Sequence, residues 1–339
     1  MSEPFVSVII AVRNEATFIA RSLGAILAQD YSAERMEILL ADGDSEDDTV
    51  RIARSLPGGE RVRVLANPRR IQSAGLNQLL QEARGEYIVR VDGHTVIAPD
   101  YVRQCVAALI ATGAEVVGGP MRPVGTTLMG KAIAAAGRSR FAVPTAFHVR
   151  EGACYTDTVY MGAWPRAVLA RVGGYDERLR VNEDYELNYR IRDAGGRVYL
   201  SPTIASSYFG RQTLGELARQ YLAYGRGKTL TLRKHPASLR PRQTIAPLFV
   251  LFLVLGIPLC AALPVAIAPW LALLAVYALC NIAFSVAAAS RGALSSAGRI
   301  ALAFLTIHLA WGAGFWLGWL GREKTVAPPA PSVANPSLT

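Results

Sequence analysis

Two hydrophobic patterns divide this chain. Up to about residue 205, short apolar runs alternate with stretches of helical spacing. The run Val6-Ser-Val-Ile-Ile-Ala-Val12 is apolar on both faces apart from Ser7, which predicts a buried strand. Residues 16–28 then carry Phe18, Ile19, Leu23, Ile26 and Leu27 at helical spacing. A second strand over 37–41 ends in an acidic loop from Asp42 to Asp48, and a helix follows to about Ser55. Residues 61–65 read as a third strand and 71–83 as a helix closed by Gly85; residues 87–91 form a fourth strand running into Asp92. Apolar strands alternating with helices predict an α/β domain, with a mainly parallel sheet covered on both faces.

Past residue 112 the pattern loosens. A strand is expected over 114–118, a short helix over 128–137 and an irregular, site-lining stretch over 154–164. Leu187 and Ile191 lie four apart, so the segment after Asn182 should be a helix whose start presents Glu183 and Asp184. Leu214, Leu217, Tyr221 and Tyr224 make an apolar stripe among basic residues, as in a helix lying on a membrane surface.

Beyond Arg242 the pattern changes in kind. Residues 243–290 carry no charged side chain, and neither do residues 300–321. An apolar stretch of about 20 residues crosses a bilayer as a helix. Spans are expected at about 245–263, 269–289 and 300–320. The chain therefore divides into a head over 1–235 with an amphipathic, interfacial C-terminal segment, an all-α transmembrane region over 243–321, and a proline-rich tail over 322–339 expected to be disordered.

Charge follows the same division. Residues 1–216 hold 25 Lys+Arg and 25 Asp+Glu; residues 217–339 hold 11 basic residues and Glu323 as their one acid. The excess clusters just before the first span, between Arg219 and Arg242, as expected on a cytoplasmic, anionic leaflet. Nucleic acid is not an expected partner, because no basic patch is evident in the balanced head. Cys105, Cys154, Cys260 and Cys280 lack metal-type spacing and are expected to be free thiols. The apolar run at the N-terminus breaks at Arg13-Asn14-Glu15, so it reads as a strand and not a signal peptide.

Ligands of such sheets bind beyond the C-terminal strand ends, near the reversal of strand order. Three polar clusters fall there: Arg13-Asn14-Glu15, Asp42-Gly43-Asp44 and Asp92-Gly93-His94. No Gly-x-Gly-x-x-Gly follows the first strand, which argues against a dinucleotide site. Asp42 has the chemistry to accept from a pyrimidine N–H, or to cap the next helix.

Together these residues resemble a family 2 glycosyltransferase of the GT-A fold. The resemblance rests on Val6–Ile10 with Asn14-Glu15, on residues 41–49, on Asn77, Ala83 and Gly85 followed by Asp92, and on Glu183-Asp184. Arg90-Val-Asp-Gly-His94, Tyr224-Gly-Arg-Gly-Lys228 and the three spans look more narrowly like bacterial exopolysaccharide glucosyltransferases. The resemblance implies that Asp42 reads the uracil ring and that Glu15 lies near the nucleoside. Asp92 and His94 stand where the family carries its metal-binding Asp-x-Asp. A divalent cation is implied, and imidazole shifts the preference from Mg²⁺ toward Mn²⁺. His94 departs from the pattern, leaving metal ligation, a phosphate contact or simple pocket lining open. Asp184 is implied as the general base with Glu183 beside it; Arg226 is a candidate for the diphosphate and Asp157 for the acceptor.

The function so implied is an inverting transfer of a hexose, glucose from UDP-glucose, onto a polyprenyl-diphosphate-linked saccharide during exopolysaccharide assembly. The catalytic head would sit on the cytoplasmic side of a bacterial inner membrane. Two alternatives fit the same residues: a polyprenyl-phosphate glycosyltransferase and a non-catalytic nucleotide-binding scaffold. The Gln-x-x-Arg-Trp motif of processive relatives is absent from the region around Gln220, which argues against a polymerising synthase.

Overall fold

The computed structural model describes residues 3–142, 145–150, 152–289 and 294–321. Arg291 in the second inter-span connection and the expected tail at 322–339 lie outside the described residues. Eleven strands run in chain order among those described: β1 Val6–Val12, β2 Met36–Asp42, β3 Val62–Ala66, β4 Tyr87–Arg90, β5 Thr95–Ile97, β6 Val116–Gly119, β7 Met121–Val124, β8 Cys154–Thr156, β9 Tyr160–Pro165, β10 Val198–Leu200 and β11 Ser206–Phe209. Eight form one sheet in the order β3-β2-β1-β4-β9-β6-β10-β8, and β5-β11-β7 form a second. Strands β1 to β4 are parallel, as their apolar character predicts, while β9 runs antiparallel to both neighbours.

The uninterrupted apolar sequence of β1 has a direct cause. Successive side chains point to opposite faces of a sheet, and both faces here are covered. Val8, Ile10 and Val12 pack with Ile19, Leu23 and Ile26 of α1 (Ile19–Leu27). Ile9 and Ala11 pack on the other side, with residues from later helices. α2 spans Thr49–Ser55, α3 Gln72–Glu82, α4 Tyr101–Thr112, α5 Leu128–Gly137, α6 Ala146–Val149, α7 Arg166–Val172 and α8 Glu183–Asp193. Leu76 and Leu79 of α3 and Leu187 and Ile191 of α8 build that second core. The catalytic candidates at the start of α8 are thereby held against the sheet.

Residues 154–164 are not irregular. They contain β8 and most of β9, with Trp164 fully buried in the sheet. A bulge in the β6–β9 pairing and left-handed backbone at Met161 and Gly162 break the alternation that would have announced a strand.

The C-terminal part contains α9 Leu214–Lys234, α10 Ile245–Ala262, α11 Ile267–Ala289 and α12 Ala297–Leu320. Three segments, Pro241–Ala262, Pro264–Ala289 and Ala297–Leu320, are long and apolar enough to cross a membrane, close to the expected spans. The stripe on α9 does not face outward as expected. Leu217 is buried with Ile133 of α5 and Phe304 and Ile307 of α12, and Leu214 and Tyr221 pack against the same cluster. The reason lies in small residues. A Cβ on Gly225 would stand 2.2 Å from the Trp311 carbonyl oxygen, and one on Gly314 would stand 2.2 Å from that of Leu222. Backbones in such close approach bury the stripe between helices. Gly314→Leu should therefore lower thermal stability in detergent, by about 1–3 kcal/mol or more of overpacking. Gly298→Ala, a position with nothing within 4 Å of its Cβ, should not.

Polar contacts fasten α9 to α8. The buried Glu186 carboxylate meets Lys234 Nζ at 2.6 Å and His235 Nε2 at 2.9 Å, and Asn182 Nδ2 donates to the Tyr224 carbonyl at 3.0 Å. One helix thus joins the catalytic candidates to the innermost apolar helix.

Candidate active site

The sheet edge is stitched together locally. Asn14 and Asp44 adopt left-handed backbone just after β1 and β2. Asn14 N–H donates to Ser45 Oγ, the Asn14 side-chain carbonyl accepts from Glu46 N–H, and Glu15 N–H donates to Thr49 Oγ1. Asp42 accepts from Ser45 Oγ at 2.6 Å and from its N–H at 3.2 Å, so its carboxylate shapes the loop. Register places Asp42 beside Val12, and Arg90 beside Ile9 on the other flank of β1. Glu15, Asp42 and Asp92 therefore follow neighbouring strands at the reversal of strand order.

Arg90 organises the centre. It is 3% exposed, donates from Nε to Asp92 Oδ1 at 3.0 Å and from Nη2 to Glu183 Oε1 at 2.9 Å. One guanidinium therefore bridges a strand-end acid and the first residue of α8. Burial alone would favour neutral arginine, but Asp92 and Glu183 hold the charge in place. Nη1 is buried and has no hydrogen-bond partner among the described residues.

The two acids of α8 are not equivalent. Glu183 is buried and committed to Arg90, whereas Asp184 is half-buried and, among the described residues, accepts from the Tyr185 N–H, at 2.7 Å. Burial raises both above the ordinary carboxylate range; Arg90 opposes the shift, and Asp92 adds to it. Asp184 is thus the less committed of the two acids.

His94 Nδ1 meets Glu15 Oε1 at 2.9 Å. A carboxylate there holds the proton on Nδ1 and turns Nε2 outward as a lone-pair donor, the arrangement common for metal-ligating histidine. Among the described residues no three His, Cys, Asp or Glu side chains form a closed metal cage. A carboxylate and an imidazole, both lining the cavity described next, are donor types suited to an ion held mainly by substrate phosphates and water. The residues fit a divalent cation of that kind.

A cavity of about 510 Å³ joins these groups to the apolar helices. Asp92, His94, Glu183 and Asp184 line one part, and Ile133, Leu217, Ile307 and Trp311 line another. Asp42 and Glu15 stand at the neighbouring sheet edge, outside this lining.

Sequence and structure comparisons identify the family and the fold. Residues 7–164 match the model for Glycosyl transferase family 2. The chain is 34% identical, over 94% of its length and 96% of the relative's, to the succinoglycan biosynthesis protein ExoA of Rhizobium meliloti (strain 1021). It belongs to glycosyltransferase family 2. It is also 24% identical, over 68% of its length and 74% of the relative's, to a dolichyl N-acetyl-alpha-D-glucosaminyl phosphate 3-beta-D-2,3-diacetamido-2,3-dideoxy-beta-D-glucuronosyltransferase of Methanococcus voltae. Among solved structures, the mannosyltransferase PcManGT of Pyrobaculum calidifontis, in complex with GDP-Man and Mn²⁺, shares the fold at a TM-score of 0.59 and 20% identity, covering 91% of this chain and 87% of that one.

In this family 2 glycosyltransferase the structure gathers Asp92, His94, Glu183 and Asp184, with Glu15 behind His94. Arg226 is not brought in. It is exposed and outside the cavity lining, while Lys228, two residues along α9, is buried and lines the cavity. A step of two helical residues turns a side chain by about 200°, so both cannot face the site. Asp157 accepts from Arg242 and lies outside the lining. Sequence reading gave Arg90 no task. Its one visible signal was an arginine inside an otherwise apolar strand leading to Asp92.

Proposed function

We propose that this glycosyltransferase moves a hexose, glucose from UDP-glucose, onto a polyprenyl-diphosphate-linked saccharide in exopolysaccharide assembly, with inversion at the anomeric carbon. The observation that carries the reading is one cavity shared by Asp92, His94, Asp184 and the membrane-type helices. The names of the Rhizobium and Methanococcus relatives support the pathway class and a lipid-linked acceptor. The basic residues immediately before the first span support a cytoplasmic head on a bacterial inner membrane.

Chemically, the acceptor hydroxyl gives its proton to Asp184 as its oxygen attacks the anomeric carbon, and the diphosphate departs from the opposite face. A divalent cation at Asp92 and His94 would stabilise the charge developing on that diphosphate. Arg90 holds Asp92 and Glu183 in place and keeps two buried acids from repelling each other. Glu15 orients His94.

The test is incubation of full-length protein in detergent with radiolabelled nucleotide sugars, lipid extract and Mn²⁺ or Mg²⁺. Label should enter the organic phase from a UDP-hexose and fall to background with chelator; no transfer from any donor rejects the proposal. Asp92→Ala should lose metal-dependent UDP binding by calorimetry while leaving any metal-independent component. Equal metal dependence in both proteins would remove Asp92 from the donor site.

A further inference from the structure

One part of the cavity concentrates positive charge that the transfer chemistry above does not use. Lys228 is 3% exposed, and among the described residues its Nζ donates only to neutral groups of one residue, the Ser238 carbonyl at 3.1 Å and Oγ at 3.2 Å. The ammonium lies 4.2 Å from the centre of the Tyr185 ring, next in sequence to Asp184. Arg192, Arg240 and Arg242 all meet Asp157 and, with it, act electrostatically on Lys228. Asp157 is already engaged by Arg242 and by Arg240 at 3.8 Å, and Arg192 Nη2 is buried without a hydrogen-bond partner among the described residues. Four cations about one carboxylate leave a surplus of positive charge.

Lys228 and Arg242 line the cavity together with Ala246, Ile307 and Trp311, which belong to the apolar helices. Arg242 also falls at the start of the first candidate span. Cationic side chains and apolar helices lining one cavity match an amphiphile whose head is anionic. We propose that Lys228 and Arg242 bind the diphosphate of the lipid-linked acceptor, with its hydrocarbon chain running against α10 and α12 and its saccharide turned toward Asp184. This rests on the reading of the chain as a transferase to a lipid-linked acceptor. It assigns a second anion site, separate from the donor diphosphate near Asp92. Burial and the neighbouring arginines lower Lys228 to about 7, and a diphosphate beside it would favour its charged form.

Binding tests the assignment without requiring turnover. Full-length protein in detergent micelles, saturated with UDP and Mn²⁺, is titrated with farnesyl diphosphate, farnesol and inorganic pyrophosphate. Farnesyl diphosphate should bind at least tenfold more tightly than either of the others. Lys228→Met and Arg242→Gln should each weaken it tenfold or more, with UDP affinity changed less than twofold. Lys228→Arg should recover most of the loss, which separates a charge requirement from misfolding of the buried methionine variant. Competition between UDP and farnesyl diphosphate would place these cations on the donor and overturn the proposal. Pyrophosphate binding as tightly as farnesyl diphosphate would overturn the lipid assignment. Undiminished affinity in folded variants would overturn the role of the two residues. Failure of hexose transfer in the assay above, with farnesyl diphosphate still bound, would count against the function and not against this site.

Discussion

Asp184→Asn should reduce turnover by about 10²- to 10⁴-fold, the range ascribed to a positioned general base, while changing the affinity for UDP and metal less than twofold. The expectation follows from the division of labour between the two acids. Glu183 is locked to Arg90, so it cannot move to replace its neighbour. Asparagine keeps the size of aspartate and its capacity to accept from the Tyr185 N–H, so the start of α8 should stay intact. The pH profile supplies a second sign. Burial raises Asp184, and a base works only when deprotonated, so activity should fall as pH drops through that raised value. The acid limb of kcat should therefore lie above the ordinary carboxylate range and disappear in the residual activity of Asp184→Asn. A variant retaining near-normal turnover would point to an acceptor already ionised, such as a lipid phosphate, which needs no proton removed.

Arg90→Gln should be the most damaging single change to stability in the head. The guanidinium is buried and charged, and its removal leaves Asp92 and Glu183 buried without their cation. Breaking a buried ion pair by deleting one partner costs about 3–5 kcal/mol. Thermal unfolding in detergent should shift down accordingly, and donor binding should fall because Asp92 loses its support. Pairing Arg90→Gln with Glu183→Gln removes one of the stranded charges and should recover part of the stability. Strict additivity of the two losses would mean that the bridge contributes no coupling. A fold as stable as the wild type in the single variant would contradict the arrangement altogether.

How far the sequence announces this structure depends on the range of the cause. β1, β2 and β4 are legible because their apolar runs answer to two covered faces. Asp92 and Asp184 are legible because each closes or opens an element. Longer-range causes leave weaker traces. Arg90 meets Glu183 only because β4 and the start of α8 come together, a juxtaposition that local periodicity does not encode. Arg226 and Lys228 stand in one basic segment, and only the position of α12 decides which faces the cavity. That position depends on glycines at 225 and 314, residues that read in isolation as flexible or neutral. The membrane spans show the opposite limit: length and apolarity are enough to find them, yet the burial of the α9 stripe shows that an apolar face need not meet lipid.

The most direct test of the central claim is the anomeric configuration of the sugar found on the organic-extracted product, read by proton NMR couplings after transfer from an α-configured UDP-hexose. A β-linked hexose on a lipid-borne saccharide is the result predicted by attack across the cavity with Asp184 as the single base. An α-linked product, or hexose recovered only as a water-soluble hydrolysis product, would contradict it.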